Sequence, residues 1–511
     1  MKKYGFIIIL VAINALGYGQ SKQDYHWIFG NDQDGGNNIL SLEIDFKVKP
    51  FTVGIRDAGL SFDQNNASIA DENGHLLFYT NGCAVAGADH EVLMNGDSIN
   101  SGVFFDEIWL GDCLAGYPGR QDITILTDPG NESGYYIIHK PEELDWAQDP
   151  GIWLQYLNYT YVDMSLNNGK GAVTIKNTPF YDSGYNGLLW SFLTSIRHEN
   201  QKDWWILQPL WEEDAYLTIL LTENGFEKID TQAMIRPHDD LRSSAGGNAF
   251  FSPDGNTYAY FTKKDGLHVF DFNRNNGRLS NPRSLYNTNS SSIKFASLEF
   301  SSNSELLYYM TTDSLWQVDL TLDNLEEGNV FIEEWNGVND PFATVFFGAA
   351  LAPDCRIYIR SGSSTESVHV INKPNERGVA CDFVQQGIQF PFTNSVGTWP
   401  NSPRWRVDEE EKCDTSIVSI FGELVYYRSD LIIYPNPTAG PLTIELPEDQ
   451  TRGYLSIVNS RGKAILRKEI QQIIDIYQAD LSGYPSGVYY VEYLPKENKE
   501  RRVYTGKVIL E

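Results

Sequence analysis

The sequence predicts an all-β chain: a six- or seven-bladed β-propeller followed by a small immunoglobulin-like β-sandwich. Three observations carry that expectation. β-Hairpins recur along most of the chain; helical periodicity is scarce beside 29 Tyr, 26 Phe and 12 Trp; and the charge balance changes sharply near residue 430. Aromatic and β-branched residues suit the pleated, half-buried surface of packed sheets.

The chain opens MKKYGFIIILVAINALGYGQ, in which Lys2 and Lys3 precede an apolar run from Gly5 to Gly17, and small residues stand at Gly17 and Gly19. A basic start, an apolar stretch and small residues at a cut site make residues 1–19 a secretory signal peptide. The run is shorter than the roughly 20 residues of a spanning helix, and Asn14 interrupts it. No later segment is long and apolar enough to span, so no transmembrane segment is expected after cleavage.

Residues 20–407 carry the repeats. In chain order they are ASIADENGHLLFYT from Ala67, the looser DITILTDPGNESGYYIIH from Asp122 and SFLTSIRHENQKDWWILQ from Ser191, then AFFSPDGNTYAYFT from Ala249, SLEFSSNSELLYYMT from Ser297 and AALAPDCRIYI from Ala349. Each is a strand, a turn rich in Asp, Asn, Ser, Pro or Gly, and a second strand rich in aromatic and β-branched residues. In the second half the turns fall about fifty residues apart, the length of one four-stranded propeller blade. Six blades follow, with a seventh expected from the amino-terminal WIFG region at Trp27 pairing with the end of the domain. An array of β-sandwiches competes, but radial closure hides strand edges and repeated hairpins at blade spacing favour it.

Net charge is -29, and removing a signal peptide that holds two lysines and no acid brings the mature chain to -31. Residues 431–511 hold ten Lys and Arg against ten Asp and Glu, so the acidic excess lies in residues 20–430. A nucleic-acid partner needs a basic footprint and is excluded. DEEEKCDTSIVSIFGELVYYRSD, residues 408–430, begins with clustered acids outside the blade pattern and is expected to be a linker. Beyond it LTIEL, YLSIVN, KAILRKEI, GVYYVEYL and KVILE are short strands between Gly and Pro turns, a sandwich over residues 431–511. Pro435 and Pro437, which flank Asn436 in YPNPTAGPLTIEL, cannot donate to a ladder and fix an extended entry. Gly487 permits a tight entry to the strand in which Tyr489, Val491 and Tyr493 share one face.

This terminal module, with Pro435, Asn436, Pro437, Gly440, Gly487, Tyr489 and Lys507 in YPNPTAGPLTIEL, DLSGYPSGVYYVEY and GKVILE, resembles the type A sorting domain of the type IX secretion system of Bacteroidota. The resemblance implies passage through the periplasm, recognition by the outer-membrane translocon and sorting machinery, and a final place outside the cell or on its surface. Residues 24–406 are similar to secreted propeller-like proteins of Bacteroidota in WIFG, NGHLLFYTNG, VDMSLNNGKGAV, DWWILQ, FDFNRNNGRLS, APDCRIYI and INKPNERGVAC, in that order. That family implies no general activity. The chain departs from it at Cys355, where a turn glycine is usual, and at GTWPNSPRW, Gly397 to Trp405, an altered Gly-Leu-Pro-Asn-Phe phrase.

Catalytic motifs are absent: there is no GxSxG elbow, no HExxH and no phosphate loop. No catalytic residue is therefore assigned. His198 and Glu199 begin like a zincin but lack the second histidine and are expected in a hairpin turn. His238, Asp239 and Asp240 form the tightest His and carboxylate cluster, a metal or base candidate against the plainer reading of a solvated loop. Calcium is the one cofactor weighed: DQDGGNN from Asp32 and DFNRNNG from Asp271 place oxygen ligands at alternating positions but lack the closing glutamate. Trp204, Trp205, Trp211 and Trp399 offer surfaces for sugar rings, with burial as the default. Of five cysteines, none in a CxxC pair, Cys381 with Cys413 and Cys83 with Cys113 are the preferred disulfides of an exported chain. The leading functional expectation is a non-enzymatic secreted or surface protein that binds a glycan or a protein. The alternatives are an extracellular metal-assisted hydrolase or lyase with its site in the propeller channel around His238, and a structural component of the cell surface or gliding apparatus.

Overall fold

The computed structural model describes residues 21–511 apart from 34–38, 48–50, 63–64, 109–110, 112–115, 118, 145–151, 185–186, 212–213, 236–246, 263, 287–295, 395–397, 410–426, 447–452, 460–463, 471–474 and 496–501. The expected signal peptide, residues 1–19, lies outside these residues. Among the described residues, strands between His26 and Asn394 build seven antiparallel blades and one two-stranded ribbon, Glu142–Leu144 with Ile152–Leu154. Blade 1 is His26–Gln33, Ile39–Asp45 and Thr52–Asp57; blade 2 is Ala67–Ala70, Leu76–Thr80 and Val85–Gly87. Blade 3 has Ile123–Asp128, Asn131–His139, Tyr156–Asp163 and Ala172–Asp182; blade 4 has Thr194–Arg197, Trp204–Pro209, Ala215–Thr222 and Gly225–Ala233. Blade 5 runs from Gly247–Phe251 to Arg278–Leu285, blade 6 from Ala296–Phe300 to Asn329–Glu334, and blade 7 from Phe346–Leu351 to Phe383–Asn394, each with four strands.

The six sequence hairpins are the first two strands of blades 2 to 7. The turns of blades 5 and 6 share one construction. In blade 5 the Ser252 hydroxyl donates to Asp254 and accepts from the Thr257 N–H, 3.0 Å away. In blade 6 Ser301 does the same with Asn303 and the Leu306 N–H, 2.9 Å away. The corner residue is left-handed in all three of the last blades: Gly255 at φ 73°, Ser304 at 64° and Cys355 at 67°. Cys355 thus takes a corner that glycine would fill most easily.

Blade 1 differs from the sequence expectation. WIFG does not pair into the last blade; it heads a blade of its own. Both faces of that strand are apolar: Ile28 packs on the blade 2 side with Tyr79, while Trp27 and Phe29 pack against Tyr358 and Phe390 of blade 7. A strand buried on both faces sits inside a ring of sheets. Further apolar clusters join blades 2, 3 and 4, blades 4 and 5, blades 5 and 6, and blades 6 and 7. The ring is therefore closed by face packing.

The terminal sandwich stacks a sheet of Ile433–Tyr434, Pro441–Glu445 and Ile476–Asp480 on a second sheet containing Gly453–Asn459, Ala464–Ile470, Gly487–Pro495 and Arg502–Leu510. Ile444, Leu481, Val491, Tyr493 and Val508 fill the space between them. The expected linker is structured at both ends. Tyr427–Asp430 is a strand, parallel to Arg502–Thr505 on one side and to blade 1 at Gly54 on the other. Asp408 pairs with Arg274, 2.6 Å away, and Glu409 accepts the Ser21 N–H at 2.9 Å.

Candidate functional site

The inner strands meet around a central channel, and the chain after blade 7 returns through it. Residues 398–407 form a strap that touches every blade. Trp399 donates its indole N–H to Tyr358 O of blade 7 at 3.0 Å and packs against Trp27, tilted, and Phe29, edge-on, of blade 1, with ring centroids 5.0 and 4.9 Å apart. The Asn401 backbone N–H donates to Asn66 O beside blade 2 at 2.7 Å, and its amide donates to Ile123 O of blade 3 at 2.8 Å. Arg404 bridges to Ile196 of blade 4, donates to Phe251 O of blade 5 at 2.9 Å and pairs with Glu299 of blade 6. Arg406 closes the circuit with a two-pronged pair to Asp24, at 2.6 and 2.7 Å. Pro400 and Pro403 suit this extended, non-ladder path because neither has an N–H to leave unmet.

Between strap and inner strands lies a cavity of about 80 Å³, room for roughly six waters or one small group. Trp27, Phe250, Phe347 and Trp399 supply its apolar wall; Arg120, Gln121, Asn248 and Ser297 supply polar edges. The Arg120 guanidinium lies 3.5 Å from the Phe347 ring centre, a cation–π contact. Its carboxylates are committed: Asp24 to Arg406, and Glu299 to Arg404 and to the Leu351 N–H at 2.8 Å. The amides are committed as well, and they tie blades together. Gln121 exchanges two hydrogen bonds with Ala249, at 2.9 and 3.0 Å, and Asn248 accepts from Leu298 N at 2.9 Å while donating to Ser297 at 3.1 Å. Behind the wall, burial pulls the Arg360 guanidinium down to about 9, with its charge over the Phe29 and Trp399 rings at 4.9 and 5.4 Å. Carboxylates held this way are poor general bases, whereas aromatic faces and oriented amides suit recognition.

The sequence candidates fall elsewhere. His238, Asp239 and Asp240 lie outside the described residues, as do Asp34 to Asn38 of the first calcium candidate. The second is the turn between the third and fourth strands of blade 5, Gly266–Asn273 and Arg278–Leu285. Asn273 Oδ1 accepts the N–H groups of Asn275 and Asn276 at 3.0 and 3.2 Å, and Asp271 accepts from Asn281 at 2.7 Å. Among the described residues no His, Cys, Asp and Glu group is arranged to hold a metal ion. His198 sits in a hairpin turn: Nδ1 accepts the Asn200 N–H at 3.0 Å, so Nε2 carries the proton and donates to Asn275 O at 3.0 Å. Trp204, Trp205 and Trp399 are buried and Trp211 is half-buried, with Trp204 against Trp405 of the strap. The strap itself was visible only as the altered GTWPNSPRW phrase. Its signals were two prolines and two arginines ahead of an acidic run.

One disulfide expectation is corrected. Cys381 is a free, buried thiol packed between blades 6 and 7 with Met310 and Phe346, so it does not pair with Cys413. Cys355, half-buried at its turn, is disulfide-bonded, and so is Cys83. Cys113 and Cys413 lie outside the described residues.

In the terminal module, Asn436 clamps the last strand: its amide donates to Lys507 O at 2.6 Å and accepts the Ile509 N–H at 2.9 Å. Pro435 and Pro437 follow cis peptide bonds on either side of it. Gly440, at φ 141°, has no room for a side chain, because a Cβ there would lie 2.1 Å from the Ser482 hydroxyl. Gly487 opens its strand at φ 155°, and Tyr489 is buried with its hydroxyl on Pro485 O at 2.6 Å.

Residues 432–511 match the family model described as a secretion system C-terminal sorting domain. This terminal domain directs the chain out of the cell, to the surface or the medium, and engages the secretion machinery. No curated protein matches the sequence at a significant level. Among solved structures, a functionally unknown protein from Desulfotomaculum acetoxidans DSM 771 is similar at TM-score 0.35 and 10% identity, over 74% of this chain and 89% of its own. The periplasmic gluconolactonase PpgL of Pseudomonas aeruginosa is similar at TM-score 0.36 and 12% identity, over 74% of this chain and 97% of its own. At such scores the likeness says nothing of activity, and the propeller rests on the seven sheets themselves.

Proposed function

We propose that the exported chain is a binding protein whose propeller, residues 20–407, holds a small group of a glycan or protein ligand in the cavity between the strap and blades 5 to 7. The observation that carries this reading is the cavity wall: aromatic faces and oriented amides, with both carboxylates already neutralised by strap arginines. Residues 431–511 serve delivery, and residues 1–19 serve entry to the periplasm.

Gly348 provides the test. It lines the cavity, and a Cβ there meets nothing within 4 Å, so Gly348→Phe should fill the space without disturbing the blade. The purified chain is screened against soluble glycans and peptides by thermal shift, since a ligand at a hundred times its Kd stabilises by about 2.7 kcal/mol. Hits should shift the wild type and not Gly348→Phe. Ligands that shift both proteins equally would place the site elsewhere, and stoichiometric calcium or zinc in the native protein would favour the metal-assisted hydrolase or lyase instead.

A further inference from the structure

Blade 3 holds an ionisable cluster that the channel does not use. Asp122, Lys140 and Glu142 are 2, 2 and 3% exposed. Ile123 and His139 are cross-strand partners, which sets Asp122 opposite Lys140, and the Lys140 N–H donates to Asp122 O at 3.2 Å. Lys140 Nζ touches Asp122 Oδ1 and also lies 2.9, 2.8 and 3.0 Å from Leu189 O, Ser191 O and Gln208 Oε1. Four oxygens therefore surround a nitrogen that has three hydrogens even as an ammonium. Asp122 Oδ1 is meanwhile the acceptor of the Ser191 N–H at 2.8 Å. Asp122 Oδ2 and Glu142 Oε2 are buried with no hydrogen-bond partner among the described residues. Gly119 makes room for this carboxyl, because a Cβ there would lie 1.6 Å from Asp122 Oδ2.

We propose that Lys140 and Asp122 are joined by an isopeptide bond that the folded chain forms itself, with Glu142 relaying the proton. The ammonium proton passes by way of Glu142 to the Asp122 carboxylate, leaving a neutral amine and a neutral acid. Nζ then attacks Cγ; the Nζ–Cγ bond forms, the Cγ–OH bond breaks, and the hydroxyl leaves with a second Nζ proton as one water. Nothing is oxidised or reduced, and Glu142 ends as it began. Burial, with the Asp122 charge beside it, pushes the Glu142 carboxyl well above its ordinary range, which favours the protonated form that the relay passes through. Two buried charges become one neutral amide, which removes their desolvation cost. Leu189 O keeps a donor afterwards in Gln208 Nε2, 2.9 Å away. An exported protein gains a covalent brace across the first hairpin of blade 3.

The test is peptide mass analysis of the full wild-type chain, reduced, alkylated and cut with chymotrypsin, which cleaves after Tyr135 and Tyr136 between the two residues. The expected product is one species joining the Asp122 and Lys140 peptides, lighter than their sum by one water. Glu142→Gln should lower its yield to a small fraction, and Lys140→Arg should abolish it. Recovery of the two wild-type peptides unlinked, with a free Lys140 amine, would overturn the proposal and leave an ordinary buried ion pair.

Discussion

Replacing Trp399 by alanine should weaken the propeller more than any other single change in the strap. The indole is 5% exposed and sits between blades 1 and 7, with Trp27, Phe29 and Tyr358 at centroid distances of 5.0, 4.9 and 6.3 Å. Truncating a buried tryptophan costs about 3–5 kcal/mol, more where the surroundings cannot collapse. Here they cannot, because the facing rings belong to different blades that other clusters hold in place. Losing the bond to Tyr358 O adds about 1 kcal/mol. The sum, about 4–6 kcal/mol, is a large part of the 5–15 kcal/mol that stabilises a typical domain. Urea unfolding followed by far-UV circular dichroism reads it directly as a lower midpoint at unchanged slope. A loss below about 1 kcal/mol would show that the wedge does not close the ring and that the strap is a passive tail.

The remaining predictions concern single groups. His369 is buried; its Nε2 donates to Thr344 O at 2.7 Å and Nδ1 accepts the Gln386 N–H at 3.3 Å, so the folded ring is neutral, and burial lowers its pKa from 6.5 to about 4. The unfolded state binds the proton first, so this contribution is complete above pH 6.5 and lost as pH falls towards 4, up to about 3 kcal/mol; His369→Gln should flatten stability over that window, and an unchanged profile would refute the assignment. Cys381 should resist thiol reagents in the native protein, since burial pushes its thiol up, and react once in denaturant. A second thiol released without reductant would contradict the disulfides at Cys83 and Cys355.

The hairpins of blades 2 to 7 were legible because each marks itself locally, with a polar turn between an apolar strand and an aromatic one. Blade 1 was harder. Alternation is absent in WIFG because both faces are buried, and an apolar run does not say which sheet it joins. The strap has no periodicity at all: Asn401, Arg404 and Arg406 are assigned by partners at Ile123, Glu299 and Asp24, far away in sequence. The pairing expected of Cys381 failed for the same reason. Cys381 faces Met310 and Phe346, while Cys355 stands at a left-handed turn, and no spacing rule separates the two. The terminal module was the clearest of all because its phrases resemble a known domain in order and spacing, although the contacts behind them, Asn436 on Lys507 and Ile509 and Gly440 against Ser482, join residues far apart in sequence.

Delivery by the terminal domain is the central claim, and fractionation of the native host tests it most directly. The full chain and a chain lacking Leu431 to Glu511 are expressed side by side and quantified in periplasm, cell surface and medium. The full chain should appear on the surface or in the medium, and the shortened chain should stay in the periplasm with its propeller folded. Equal amounts of both outside the cell would contradict the account.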